Sequence, residues 1–241
     1  MKKSYIIIGV VVVVMLAAIG IYAVINSNSQ SKKQLEENST NIEGTTNTEN
    51  SAKENKDGNI QNNQISNESE ENNMYSTGKH HAEIVVKNYG TIALELDADV
   101  APITVENFAN LVNEGFYNGL TFHRIISGFM IQGGDPLGNG TGGSSKTIKG
   151  EFASNGVKNS ISHVRGTISM ARSSMPNSAS SQFFIVHQDS TFLDGKYAAF
   201  GTVTSGMEVV DKICADTAVE DDNGTVAKNN QPVIEKITII D

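Results

Sequence analysis

The stretch Thr121–Asp135, TFHRIISGFMIQGGD, decides how the rest of the chain folds. Apolar β-forming residues lie on both sides of the pair Ser127-Gly128. Such a pattern predicts a strand, a tight turn and a second strand, because β-branched and aromatic residues favour strands while a small residue and a glycine favour turns.

The alternation of side chains along these strands predicts an unusual surface. On the first strand Phe122, Arg124 and Ile126 are expected to share one face, and on the second strand Met130 and Gln132 are expected to do so. A guanidinium would then lie among apolar side chains with a neutral amide close by. An arginine in a strand can instead lay its stem along the core and its head in water or on a carboxylate. This stretch alone leaves both interpretations open.

Two later stretches favour a site role for Arg124 over a purely structural one. Ser181–Val186 reads SQFFIV and Phe192–Phe200 reads FLDGKYAAF. The ordered set FHRII-x-GFM-x-QGGD, SQFFI and FLDGK closely resembles the cyclophilin family of peptidyl-prolyl cis-trans isomerases. The resemblance covers about Ala82 to Asp241, roughly two thirds of the chain. Each motif alone is weak, whereas their order and distances together are specific.

The resemblance implies which residues form the site. Arg124, Phe129 and Gln132 would be catalytic, and no metal or other cofactor is expected. The residues that would bind the substrate are Met130, Gly140, Ala171, Arg172, Ser173, Gln182, Phe184, Phe192, Leu193 and Tyr197. The side chains of Phe129, Met130, Phe184 and Leu193 would form an apolar socket for the proline ring. The backbone around Ala171 to Ser173 would hold the residue that precedes proline.

Three positions depart from the pattern of many relatives. Arg172 stands where many family members have Asn, which puts the substrate preference in doubt more than catalysis. Phe192 stands where many animal cyclophilins have Trp, and Tyr197 where they often have His. Because an indole N–H is a hydrogen-bond donor that phenylalanine lacks, we expect weak binding of cyclosporin with catalysis retained.

The folded region is expected to span residues 79–241 and to be mostly β. Alternating strands around the turn at Asn88–Gly90 predict an initial hairpin. Apolar residues at helical spacing predict helices over Pro102–Gly115 and Met207–Ala215, and a last strand is predicted over Val233–Ile240. Together with the resemblance, these elements predict a closed eight-stranded antiparallel β-barrel capped by two α-helices.

The N-terminus predicts a membrane anchor. Residues 1–4 form a basic stub, and residues 5–25 contain no charged residue. A helix of 21 residues is about 30 Å long, which matches the hydrocarbon core of a bilayer. Basic flanks stay cytoplasmic, so the isomerase domain is expected outside the membrane. A cleaved signal peptide, which would release a secreted domain, is the alternative.

Residues 26–78 predict a disordered polar linker. They contain nine acidic residues and four lysines, which gives a net charge of −5, and they show no sustained apolar period. So little apolar surface cannot offset the entropy of ordering the chain.

Composition argues against several other functions. The net charge of the 241 residues is −9 and no basic stripe is visible, so nucleic acid is not an expected partner. The glycine-rich loop at residues 136–150 fails as a phosphate-binding loop, because Ser145 rather than glycine precedes Lys146. The single cysteine, Cys214, is expected to be a small buried residue, and His80-His81 a solvated pair.

Two functions remain. The first is a peptidyl-prolyl isomerase, a monomeric domain at the cell membrane that assists the folding of exported or surface proteins and acts on proline-containing, unfolded or flexible polypeptides. The second is a non-catalytic module or holdase that binds proline-containing loops in the same groove. Replacing Arg124 discriminates between them, because only the isomerase depends on a charge that stabilises the twisted X-Pro bond.

Overall fold

The computed structural model describes residues 74–241. The predicted basic stub, the predicted membrane helix and all of the predicted linker except residues 74–78 lie outside the described residues. Within residues 74–241, no helix combines the length and the apolar composition that crossing a membrane requires.

Eight strands form one antiparallel sheet, and two α-helices accompany it. The helices are α1 (Pro102–Asn113) and α2 (Met207–Asp216). The strands are β1 (Lys79–Val86), β2 (Gly90–Asp97), β3 (Phe122–Ile126), β4 (Met130–Gly133), β5 (Thr167–Met170), β6 (Phe183–Val186), β7 (Ala199–Ser205) and β8 (Ile234–Ile239). Their spatial order is β3-β4-β6-β5-β7-β2-β1-β8. The predicted mostly-β domain with eight antiparallel strands and two helices is therefore confirmed.

The predicted closure of a barrel requires a correction. The two edges of the sheet are β3 and β8, which do not pair as a ladder in the described residues. They approach each other only at their beginnings, where Phe122 N–H donates to Pro232 O at 2.9 Å and Ile234 N–H donates to Leu120 O at 2.8 Å. The sheet is consequently a curled half-barrel rather than a fully paired barrel.

Alternation along the strands produces two apolar clusters on opposite faces of the sheet. Phe183 and Ile185 of β6 belong to the main core, whereas Phe184 and Val186 belong to a second, smaller cluster. Helix α1 packs Val105 and Phe108, both fully buried, into the main core. The helices pack on the main core, and the second cluster therefore lies on the face of the sheet that they do not cover.

The remaining sequence predictions need small adjustments. Cys214 on α2 is half-buried rather than buried, and burial raises the pKa of its thiol to about 11. His80 Nδ1 lies 2.8 Å from Asp241 Oδ2, so this histidine has a specific partner at the end of the chain. Within the described residues, no group of three histidine, cysteine or acidic side chains could hold a metal ion.

Candidate active site

A β-bulge in β3 sets the direction of Arg124. The register of β3 against β4 shifts between Phe122 and Arg124, which reverses the alternation of side chains at that point. Phe122 is consequently fully buried in the main core, while Arg124 is half-buried on the opposite face. The expectation that both residues share a face is wrong for Phe122, whereas Ile126 packs on the second cluster as expected.

Four neighbouring strands place the central residues in a row. Arg124 of β3 is the direct partner of Gln132 of β4, Gln132 is the partner of Phe184 of β6, and Phe184 is the partner of Ser169 of β5. Directly opposed residues in antiparallel strands project from the same face of the sheet. The fold therefore sets the guanidinium, the amide and the aromatic ring side by side.

Neutral oxygens hold the guanidinium of Arg124. Its Nε donates to Asn223 O at 2.8 Å, Nη2 donates to Asn223 Oδ1 at 3.1 Å, and Nη1 donates to Gln132 Oε1 at 3.3 Å. Burial lowers the pKa of Arg124, an effect that Tyr197 and Asp221 oppose, but arginine stays protonated in proteins. The site thus keeps a fixed positive charge, and no carboxylate of residues 74–241 pairs directly with it.

A series of hydrogen bonds through side-chain amides connects Arg124 with the glycine-rich loop. Gln132 Nε2 donates to Gln182 Oε1 at 2.9 Å, and Gln182 Nε2 donates to Gly142 O at 2.7 Å and to Gly140 O at 3.2 Å. Gly140 has a φ of +88°, a conformation that side chains with a Cβ rarely adopt. These hydrogen bonds orient both glutamines and fix the loop beside them.

The second apolar cluster adjoins this row. Its buried members are Met130, Phe184, Val186 and Leu193, and Ile126, Phe129, Ala171 and Tyr197 pack against it. The four residues expected to form the proline socket, Phe129, Met130, Phe184 and Leu193, therefore lie in one cluster on the face that carries Arg124. Phe192 lies at the rim, with 50% of its surface exposed and its ring centroid 5.6 Å from that of Phe129.

Arg172 is stacked between two aromatic rings rather than extended into solvent. Its guanidinium carbon lies 4.8 Å from the ring centroids of both Phe152 and Tyr197. The Nε and Nη2 atoms donate to Lys196 O at 3.1 and 2.6 Å. Tyr197 in turn meets Phe184 edge-on at 5.9 Å. Arg172 therefore supports the wall of the apolar cluster.

The backbone beside Arg172 is anchored at both ends. Ala171 N–H donates to Gln182 O at 2.9 Å, and Ser173 N–H donates to Ser178 Oγ at 3.0 Å. The structure thus places Ala171, Arg172 and Ser173 along one side of the cluster, as an ordered segment that follows β5.

His163 packs against the second cluster through the ring of Phe184. The sequence motifs did not indicate this residue. It is 1% exposed, and its ring stacks on Phe184 with centroids 6.0 Å apart. Its Nδ1 lies 2.8 Å from Asp194 Oδ1, and its Nε2 lies 3.0 Å from Ser169 Oγ. Burial lowers the pKa of His163 while Asp194 opposes the shift. A lone histidine in an irregular stretch gave no sequence signal of this role.

The fold and the site together define a class of protein: a curled antiparallel sheet with a surface site that sets a fixed cation beside a recess for a small apolar group. The family described as "Cyclophilin type peptidyl-prolyl cis-trans isomerase/CLD" matches residues 81–240. The chain belongs to this family and is a peptidyl-prolyl cis-trans isomerase.

Bacterial relatives share much of the sequence. A peptidyl-prolyl cis-trans isomerase of Helicobacter pylori is 51% identical over 128 residues, which make up 52% of this chain and 76% of the relative. Peptidyl-prolyl cis-trans isomerase B of Bacillus subtilis is 50% identical over 117 residues, which make up 48% of this chain and 78% of the relative.

A solved structure shares the fold. The crystal structure of a cyclophilin type peptidyl-prolyl cis-trans isomerase of Cryptosporidium parvum, in the presence of the dipeptide Ala-Pro, has a TM-score of 0.59 and 32% identity. The match covers 67% of this chain and 99% of that chain.

Proposed function

We propose that Arg124 accelerates X-Pro isomerisation by stabilising the twisted imide, while the apolar cluster holds the proline ring. Of the five N–H donors of a guanidinium, three bond to Asn223 and Gln132. The described residues leave one donor on Nη1 and one on Nη2 for a substrate. Arg124 can therefore bind an acceptor of the substrate through these two N–H groups while it keeps its hydrogen bonds to Asn223 and Gln132.

The chemistry requires no proton transfer and no broken bond. Rotation about a peptide bond costs about 18–20 kcal/mol because the nitrogen lone pair is delocalised into the carbonyl. As the bond twists, the proline nitrogen becomes pyramidal and regains a localised lone pair. A fixed cationic donor aimed at that nitrogen interacts more strongly with the twisted state than with the planar state, which is the condition for catalysis.

The apolar cluster would complete this mechanism by fixing one side of the rotating bond. Met130, Phe184 and Leu193 are almost fully buried by their neighbours, so their positions are restricted before a substrate arrives. The low polarity of these neighbours strengthens the electrostatic interaction of Arg124 with the imide. Gln132 and Gln182 would orient Arg124 or the substrate backbone through their amides.

The observation that carries this proposal is the guanidinium of Arg124, which lies beside the apolar cluster and is held in the described region by neutral oxygens alone. The test is the Arg124→Ala variant of the full chain, assayed both for isomerisation and for binding of a proline-containing peptide. Loss of turnover with binding retained supports catalysis by Arg124. Unchanged turnover would contradict it, and an unchanged cellular role of the variant would favour the non-catalytic binding module or holdase.

We further propose that the enzyme acts outside the membrane on exported or surface proteins. The support is the sequence alone: a basic stub, an apolar run at residues 5–25 and a polar linker precede the isomerase domain. Protease treatment of intact cells that produce the full chain tests the arrangement. Cleavage of the domain from intact cells is expected, and protection until lysis would contradict the proposal.

The isomerase domain is proposed to be monomeric, with unfolded or flexible proline-containing polypeptides as its substrates. The support for a monomer is that one copy carries the whole row from Arg124 to Phe184. Light scattering of the full chain in detergent, corrected for the bound detergent, is expected to give the mass of one chain. A dimer mass that persists on dilution would contradict this.

A further inference from the structure

We propose that Asn223 is a positioning residue for isomerisation, and that the turn which carries it, residues 220–226, aims Arg124 at the substrate. This inference rests on the proposed role of Arg124. Asn223 is 99 residues from Arg124 in sequence and supplies two of the three acceptors that hold the guanidinium. No sequence motif considered above includes Asn223.

The two contacts from Asn223 fix the direction of the guanidinium. The backbone oxygen accepts from Nε at 2.8 Å and the side-chain Oδ1 accepts from Nη2 at 3.1 Å, whereas the contact of Nη1 with Gln132 is longer at 3.3 Å. Because the guanidinium is planar and rigid, two acceptors along its Nε–Nη2 edge define both its plane and its rotation. Both acceptors are neutral, so they orient the positive charge without cancelling it.

The turn that carries Asn223 is internally braced. Asp221 Oδ1 accepts from Thr225 N–H at 3.0 Å, and Asp221 Oδ2 accepts from Thr225 Oγ1 at 2.9 Å. Gly224 N–H donates to Asp221 O at 3.0 Å, and Glu220 N–H donates to Thr225 O at 2.7 Å. The turn can therefore hold Asn223 in one place although Asn223 itself is exposed.

The same turn is attached to the strand that carries Arg124. Ile125 N–H donates to Gly224 O at 2.8 Å, and Val226 N–H donates to His123 O at 3.0 Å, so the contacts lie on both sides of Arg124. Gly224 has a φ of +80°, and a Cβ at this position would lie 2.3 Å from Ile125 O. Only glycine permits this approach. The position of Asn223 is thus defined relative to the backbone of Arg124.

The first test measures kcat and KM for an X-Pro peptide with the full chain and its Asn223→Ala variant. This variant removes the Oδ1 acceptor and keeps the backbone acceptor. We expect kcat to fall about tenfold, as loss of one acceptor on a charged donor allows, with little change in KM. The matched control is Asp222→Ala at the neighbouring exposed position, which is expected to leave both constants unchanged. Unchanged kcat in Asn223→Ala would overturn the proposal.

A double-mutant cycle separates positioning from a purely structural role. If Asn223 acts through Arg124, Asn223→Ala is expected to have almost no further effect on the residual kcat of Arg124→Ala. An equal loss in both backgrounds would overturn the proposal. The proposed function fails separately, if Arg124→Ala itself leaves turnover intact.

A spectroscopic measurement reports the orientation directly. In the unchanged protein an Nη2–H of Arg124 is expected to give a shifted, slowly exchanging NMR signal, because Nη2 donates to Asn223 Oδ1. In Asn223→Ala this signal is expected to broaden or move while the thermal unfolding midpoint stays close to that of the unchanged protein. An unaltered Nη2–H signal would contradict a positioning role.

Discussion

Arg124 and Gln132 are direct cross-strand partners on β3 and β4, and Arg124 Nη1 donates to Gln132 Oε1 at 3.3 Å. The register of the β3–β4 hairpin places these two residues opposite each other. The amide of Gln132 therefore faces the guanidinium of Arg124. Gln132 Nε2 in turn donates a hydrogen bond to Gln182 Oε1. The positive charge at the centre of the site is therefore held by neutral groups, as far as the described part of the chain shows.

Replacing this amide by a carboxylate tests the importance of the free charge. Gln132→Glu would form an ion pair with Arg124 and remove the donor to Gln182. We expect kcat to fall about tenfold or more, equivalent to ~1.4 kcal/mol of barrier, because the paired guanidinium interacts less with the twisted imide. Steady-state isomerisation kinetics measure the effect.

The control for this prediction makes the same charge change at an exposed glutamine. Gln188→Glu on the loop after β6 is expected to leave kcat close to that of the unchanged protein. Equal kcat values for Gln132→Glu and the unchanged enzyme would show that the free charge is not required.

The apolar cluster is expected to contribute to substrate binding as well as to stability. Leu193→Ala should lower the free energy of unfolding by about 2–5 kcal/mol, as a large-to-small change of a buried residue does. It should also raise KM about tenfold through lost apolar contact with the proline ring. Leu96→Ala in the main core is the matched control, since it should lose comparable stability with KM unchanged. Equal KM values in both variants would contradict a socket at Leu193.

Acid is expected to weaken the fold through His123. This side chain is 4% exposed and neither ring nitrogen has a partner in the described structure. Burial lowers its pKa from 6.5 to about 4, with Asp135 opposing the shift and Arg124 and Lys228 adding to it. The unfolded chain then binds a proton below pH 6.5 that the folded chain binds only below about pH 4.

Stability should therefore be independent of His123 above pH 6.5 and fall as the pH decreases towards 4, by on the order of 3 kcal/mol. His123→Leu should remove this part of the pH dependence and leave the part that arises from carboxylates at lower pH. Urea unfolding at several pH values measures both proteins. Parallel stability curves between pH 6.5 and 4 would contradict the assignment to His123.

Phe192 is expected to limit cyclosporin binding. Its ring is half-exposed at the rim beside Phe129 but carries no N–H donor. Phe192→Trp should strengthen cyclosporin affinity measured by calorimetry, while kcat for an X-Pro peptide stays close to that of the unchanged enzyme. Tight cyclosporin binding by the unchanged enzyme would show that the missing donor is not the limiting feature.

The strands and helices of the described region could be predicted because their signals are local. Pro102 and Gly115 delimit the first helix in the sequence, and in the structure α1 begins at Pro102 while Gly115 follows its end with a φ of +70°. Strands β4 and β6 could be predicted from the alternation of their side chains, which is also a local signal. Local patterns do not show where a strand bulges, so the prediction that Phe122 shares a face with Arg124 is wrong.

The support of the site could not be predicted because it comes from distant segments. Asn223 and His163 lie in loops without apolar periodicity, and their partners Arg124 and Phe184 are far away in sequence. The stacking of Arg172 between two aromatic rings likewise depends on how three segments meet. The family resemblance indicated the residues on the face of the site, including Gln132 and Gln182, but not the support from Asn223 and His163.

One measurement tests the central claim most directly: cis–trans exchange of an X-Pro peptide, followed by NMR with catalytic amounts of the full chain and of Arg124→Ala. The account predicts that exchange in the variant slows by about 10²–10³-fold, the effect of removing a preorganised charge-stabilising donor, while the peptide still binds. Exchange in Arg124→Ala as fast as in the unchanged enzyme would contradict it.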